Sequence, residues 1–284
     1  MKIYKAAGFL GVCSFVAATF SGPAAAETTL ARIQRTGELR IGYANESPFA
    51  FTKLDGTVTG ESPEVARKVF AKLGVKKVDT VLTEWGSLIP GLRAGRFDVI
   101  ASGTYITPAR CQQVAFSEPI DRIQDTVLTL PGNPKGIHSY GDIAKNPALK
   151  VSVAAGSVEL SYAKEEGVKD SQILQVADAP EQVQAVLTGR ADAAASTDLT
   201  LREFADKYKG KVVAEPNFVD DPKHTGYSAF AFRPEDADLR DSVNKILKSF
   251  VGSEEHLSTI KPFGFTQKNL PDKTTKDLCG ASYQ

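Results

Sequence analysis

The sequence predicts an α/β chain built as two lobes of similar design with a cleft between them. Three observations carry this. Apolar runs of strand length alternate with amphipathic helical stretches in two successive series. A segment of the first series, LRAGRFDVIAS (92–102), returns in the second as VLTGRADAAAS (186–196), as a duplicated unit would. Finally, IDRIQDTVLTLPGNP (120–134) and HTGYSAFAFRPED (224–236) lie where the chain would pass between the series and back. Two crossings make a hinge rather than a loose linker. They also put a cleft at the carboxyl ends of the strands, where open α/β sheets bind ligands.

The elements follow in order. Lys2 and Lys5 precede an apolar run from Ala6 to Phe20 and the small residues Ala24, Ala25 and Ala26. This is a secretory signal peptide over 1–26, cut after Ala26. The run is too short for a membrane span. Cys13 follows Val12 where a lipid-anchor motif needs a small residue, so no anchor is expected. LRIGYA (39–44) reads as a strand. Ser62-Pro63-Glu64 opens a helix with a cap residue, a first-turn proline and an acid near the positive dipole end. Val65, Val69, Phe70 and Leu73 keep helical spacing, and Gly74 closes the element. A strand (78–83), a short helix (87–95) and a strand (97–102) complete the first series. The second has strands at 150–155, 173–177 and 191–196 and helices at 160–167 and 180–188; helices at 235–250 and 253–260 follow and are expected to pack back on the first lobe. The lobes are expected to comprise 27–120 plus 229–284, and 121–228 with the hinge segments. Chance recurrence of a common helix-to-strand turn is the other reading of the echo.

Thirty-four basic residues balance 34 acidic ones, and losing Lys2 and Lys5 with the leader leaves a slight acidic excess. No nucleic-acid partner is expected, because phosphate binding needs a basic face. Beyond the leader two cysteines remain, Cys111 and Cys279. In an oxidising compartment an even count permits one bridge; two unpaired buried thiols are the alternative. His138, His224 and His256 are far apart, show no metal-ligand spacing and read as surface residues. No metal or cofactor is expected.

The order of motifs resembles the extracytoplasmic solute-binding proteins of ABC importers, family 3, the polar amino acid group. The residues that carry it are GESPEVARKVFAKLG (60–74), EWGSLIPGLRAGRFDVIASG (84–103), TPARCQQVAFSEPI (107–120), AAGS (154–157), GRADA (189–193) and KPFGF (261–265). Within the group the chain is most similar to ectoine- and hydroxyectoine-binding proteins, through ANESPF (44–49), the aromatics at 85 and 105, ARC (109–111) and the late Cys279. The resemblance implies a type II (Venus-flytrap) periplasmic-binding-protein fold, a monomer in the periplasm, and a membrane permease as partner.

Arg110 is the strongest site candidate. Its guanidinium can grip a carboxylate by two parallel hydrogen bonds, Gly103 lets a ligand approach the backbone, and in the family the matching arginine holds the ligand carboxylate. A surface salt bridge is the plainer reading. Phe49, Trp85 and Tyr105 come from separate loops near strand ends and can converge as a cage for a diffuse cation, each face worth roughly 0.5–2 kcal/mol. Ordinary core packing is the alternative, and it is the reading preferred for Phe51. Glu46 can pair with an N–H of the cation or stand as a solvated loop acid. Binders of ordinary α-amino acids have an aspartate shortly after GRADA; here Thr197 stands at that place and Asp198 one residue later. A cage without that acid suits a compatible solute: ectoine, hydroxyectoine or a betaine. Ser157 and Gly156, at a helix start, can add N–H donors. A Cys111–Cys279 bridge would pin the base of the Arg110 loop.

The leading expectation is therefore a binding protein, not an enzyme, that takes up a small zwitterion by hinge closure. A polar amino acid or opine-type solute is the alternative ligand. A periplasmic cyclohexadienyl or arogenate dehydratase on the same scaffold would need a placed acid, for which Glu46 is the obvious residue. A sensor ectodomain would need a separate signalling protein.

Overall fold

The structure, a computed structural model, describes residues 1–3 and 27–283. Beyond residues 1–3, the expected leader with its Cys13 and its cut after Ala26 lies outside the described residues.

Two five-stranded sheets share one plan. In the first, the order is Lys77–Leu82, Glu38–Tyr43, Val99–Ile100, Ala231–Phe232, Ala115–Phe116. In the second it is Ile173–Val176, Val151–Ala154, Ala193–Thr197, Asp125–Thr129, Val213–Ala214. Each has three parallel strands, and the fourth strand pairs antiparallel with both neighbours. The echo has a physical cause. Gly95 and Gly189 both turn the chain with left-handed φ, +71° and +70°. The aspartate three residues on then takes a backbone N–H along the neighbouring parallel strand: Arg40 N within Glu38–Tyr43 to Asp98 at 3.0 Å, and Lys150 N just ahead of Val151–Ala154 to Asp192 at 2.8 Å.

Helices cover both faces of each sheet, as buried parallel strands require. In the first lobe, helix Glu61–Ala71 packs Val65, Val69 and Phe70 against Phe230 and Phe232, joined by Leu239, Val243 and Leu247 of helix Ala237–Phe250. The late helix thus returns to the first lobe. The opposite face holds Leu88, Leu92, Phe97, Ile100 and the two cysteines. In the second lobe, strand neighbours Val127 and Leu128, like Ala193 and Ala194, point into opposite cores.

Two short strands, Asp121–Ile123 and Gly226–Ser228, pair antiparallel between the lobes and form the hinge. The C-terminal segment braces it: Asp272 pairs with Arg122 and accepts the Tyr227 hydroxyl at 2.6 Å.

Three expectations need correction. Ser62 does not cap its helix. The helix begins at Glu61, and loop carbonyls take its first donors, Glu61 N to Pro48 O and Ser62 N to Phe49 O, both at 3.0 Å. The strand over 97–102 shortens to Val99–Ile100. Two of the three histidines are interior. His224 stacks on Tyr162 at 3.9 Å between centroids and bonds Asp220, while His256 accepts the Gly252 N–H at 3.1 Å.

Candidate ligand-binding site

Arg110 belongs to a four-residue helix, Pro108–Cys111. Thr107 starts it by accepting the Arg110 N–H at 3.2 Å, and Pro108 stands at a first-turn position that suits its fixed φ. Cys111 ends it and is bonded to Cys279, with Cα atoms 5.8 Å apart. The bridge ties the base of this turn to helix Thr275–Cys279. The guanidinium is buried and donates to Tyr105 O at 3.0 Å and, from the other lobe, to Gly156 O at 3.1 Å.

The site loop after Val99–Ile100 is held just as closely. Gly103 has φ +64°, and a Cβ there would fall 2.4 Å from the Phe49 ring, so only glycine lets Phe49 close on this backbone. Its N–H donates to the Ser62 hydroxyl at 2.9 Å. The first turn of a lobe-one helix therefore anchors the loop. Residues 46–50 form a tight turn, with Glu46 N to Ala50 O at 2.7 Å and the reverse bond at 2.9 Å. Phe49 leaves this turn to meet Phe265 edge-on at 5.3 Å.

These groups enclose one cavity of about 390 Å³ of empty space, counting its mouth. Glu46, Phe49, Trp85, Gly103, Tyr105, Arg110, Ser157 and Thr197 all line it. Phe51 lies elsewhere, edge-on to Phe263, as packing. Asp198 is not brought to the cavity. It opens helix Asp198–Lys207, and Arg202, one turn on, takes its carboxylate at 3.0 Å. Ser157 differs from expectation too: its N–H is already given to Ala154 O at 3.1 Å, so its buried hydroxyl, not its backbone, is what it can offer. Trp85 has a further partner, because the Arg110 guanidinium carbon sits 5.9 Å from its ring centroid.

The lobes meet around this space. Ser196 and Thr200 of lobe two donate to Glu46 at 3.0 and 3.4 Å, and Ser47 donates to Glu203 at 2.6 Å. A Cβ on Gly156 would lie 3.2 Å from the Gly86 Cα. Burial, then neighbouring Glu159, pushes the Glu46 carboxyl up to about 7 despite the bonds from Ser196 and Thr200. Burial likewise weakens proton binding by Arg110, opposed most by Glu159.

Sequence reasoning missed Glu159, Gln182 and Ser196, which also line the cavity. Gln182 is a strut: its amide donates to Ala195 O at 2.7 Å. Ser196 ends the repeated motif where Ser102 ends its first copy, so the echo itself marked the place. Glu159 lies in the first turn of helix Val158–Glu165, which begins two residues earlier than its apolar pattern indicates.

A family model, bacterial extracellular solute-binding proteins, family 3, matches residues 39–264. The chain belongs to this family. A probable amino-acid ABC transporter periplasmic-binding protein, y4tE, of Sinorhizobium fredii (strain NBRC 101917 / NGR234) is 36% identical, over 98% of this chain and 95% of the relative. A probable amino-acid ABC transporter-binding protein of Haemophilus influenzae is 29% identical, over 77% and 81%. The crystal structure of EhuB in complex with hydroxyectoine matches with a TM-score of 0.84 at 35% identity, over 90% of this chain and 99% of EhuB. That of the ancestral amino acid-binding protein AncCDT-1, a precursor of cyclohexadienyl dehydratase, matches at 0.72 and 31%, over 83% and 99%. The two-lobed type II fold is thus the family's, and the chain is a solute-binding protein of the ABC-importer type. The family's members work in transport by binding.

Proposed function

We propose that the chain captures a small zwitterionic compatible solute, ectoine, hydroxyectoine or a betaine, and hands it to the permease of an ABC importer. It acts as a periplasmic monomer after its leader is removed behind Ala26. The observation that supports this reading is the meeting of Arg110, Phe49, Trp85, Tyr105 and Glu46 on one cavity between the lobes. Arg110 clamps the carboxylate, the rings receive the diffuse cation, and Glu46 takes its N–H. Only the closed form offers groups from both lobes, so ligand shifts the hinge equilibrium toward closure. The likeness to EhuB, seen with hydroxyectoine, supports the same ligand class.

The amino-acid names of y4tE and AncCDT-1 favour a second reading, a polar amino acid. A thermal-shift screen over ectoine, hydroxyectoine, betaines and polar amino acids separates the two. Ligand at a hundredfold excess over its Kd stabilises by about 2.7 kcal/mol. The largest shift is expected from ectoine or hydroxyectoine. A preference for arginine, glutamine or glutamate overturns the solute assignment and leaves transport standing. Incubation with prephenate is expected to yield no phenylpyruvate.

A further inference from the structure

A separate cavity lies where lobe two meets the hinge, and it shares no lining residue with the cavity between the lobes. It holds about 560 Å³ of empty space, counting its mouth. Asp125, Asp220, Asp221 and His224 give it a polar wall, and Phe218 and Val219 an apolar one.

Two buried polar atoms of the lining residues lack a partner. Asp125 is 5% exposed; its Oδ1 accepts the Tyr105 hydroxyl at 3.3 Å, and its Oδ2 has no hydrogen bond. His224 is 1% exposed; its Nδ1 meets Asp220 at 2.5 Å, and its Nε2 has no hydrogen bond, with the Glu165 carboxylate 3.7 Å away. In the tautomer whose Nδ1–H goes to Asp220, Nε2 is an acceptor. A buried acceptor without a donor is costly. Burial, then neighbouring Glu159 and Asp220, also push the Asp125 carboxyl well above its ordinary value. The nearby cation, Lys223, is already shared: it lies 3.3 Å from Asp221, 3.7 Å from Glu165 and 3.9 Å from Glu166.

Both acceptors call for an N–H donor that carries positive charge. A metal ion does not suit them, because among the described residues no three His, Cys, Asp or Glu side chains converge to hold one. A primary alkylammonium suits the whole cavity. Its three N–H groups can meet acceptors on separate side chains. Its alkyl chain can cover Phe218 and Val219, the latter 71% exposed. We infer that this cavity is a second binding site, for a small primary alkylammonium held by Asp125 and His224 against Phe218 and Val219. The site stands apart from the cleft, so it does not depend on which solute the cleft takes.

Calorimetric titration with n-butylammonium chloride tests this, with sodium chloride at matched ionic strength as the blank and thermal melts to verify folding. Wild type is expected to bind butylammonium, and to bind tetramethylammonium, which has no N–H, at least tenfold more weakly. Asp125→Asn, which can still accept the Tyr105 hydroxyl, is expected to weaken butylammonium at least tenfold. Val219→Ser, at the surface, is expected to weaken it about threefold by removing apolar cover; it decides alone should Asp125→Asn fail to fold. Trp85→Ala alters the other cavity and is expected to change butylammonium affinity less than twofold. A larger loss there would place the amine in the cleft and overturn the inference. So would the absence of heat above the blank, equal affinity for tetramethylammonium, or wild-type affinity in a folded Asp125→Asn or Val219→Ser. Tighter binding of calcium chloride than of butylammonium would make this a metal site and overturn it as well.

Discussion

A methyl group added at Gly226 would lie 1.9 Å from the ring of Tyr105. Gly226 pairs with Ile123 in the hinge, and Tyr105 walls the cavity. Tyr105 also bridges Ser228 and gives its hydroxyl to Asp125 at 3.3 Å. Tyr105 therefore leans on the crossing strand Gly226–Ser228 and reaches the second-sheet strand Asp125–Thr129 while facing the ligand space. Gly226→Ala is expected to displace it, to weaken ligand binding about tenfold from outside the cavity, and to lower stability by about 1–3 kcal/mol, as overpacking does. In a Tyr105→Ala background the same change should add almost nothing to the affinity loss. Additive losses in that double-mutant cycle would show that the ring transmits nothing.

Arg110→Lys keeps the charge and removes the fork. The lysine cannot bond Tyr105 O and Gly156 O while also presenting two parallel donors to a carboxylate. Losing one charge-assisted bond is worth about 1.5–3 kcal/mol, so titration should show affinity lower by roughly ten- to a hundredfold. Retained affinity would mean that the carboxylate docks elsewhere.

The cage expectation reduces to a comparison. Trp85 lines the cavity and faces the Arg110 guanidinium, while Phe51 packs on Phe263 away from it. Trp85→Ala removes a π face from both the ligand space and the clamp, so it should weaken binding clearly more than Phe51→Ala. Equal losses by titration would relocate the cage.

How much of this was legible in the chain follows from the kind of information each feature needs. The duplicated sheet was readable because Asp98 and Asp192 do the same local job, receiving a backbone N–H from the neighbouring parallel strand or the residue leading into it. Arg110 and the rings were readable because such residue types at strand ends have few other uses. Asp198 went astray because Arg202, four residues on, sits on the same helical face and claims it. Glu159 was hidden because an acid in a helix's first turn ordinarily answers the dipole; its burial depends on the opposite lobe. The interiors of His224 and His256 are likewise tertiary facts, made by the Tyr162 ring and the Gly252 N–H.

The Cys111–Cys279 bond closes a span of 168 positions and holds the Arg110 turn to the C-terminal helix. Loss of a native bridge typically costs about 2–5 kcal/mol. Cys111→Ser with Cys279→Ser should lower the melting temperature and also weaken ligand binding, since the Arg110 turn loses its anchor. Thiol titration of the oxidised, unfolded mature protein should find no free thiols; two per chain would remove the bridge from the account.

The hinge contains a titrating group whose effect on stability has a definite sign. Asp121, fully buried, accepts the Ser228 hydroxyl, and burial pushes its carboxyl from the ordinary 3.8 up to about 7. Glu61, buried beside it, is raised by burial and by the Asp121 charge. Between 3.8 and about 7 the folded chain therefore holds the Asp121 proton more firmly than the unfolded chain does. This contribution to stability is complete below the lower value and is lost as pH rises through the upper one. Asn cannot ionise, so Asp121→Asn escapes that loss. Melting of the ligand-free proteins should show the variant gaining on wild type between pH 5 and pH 7.5, whatever their absolute difference. Glu46 and His256 titrate in both proteins and cancel in the comparison. A difference in melting temperature that stays constant across this range would show that Asp121 is already ionised in the folded hinge.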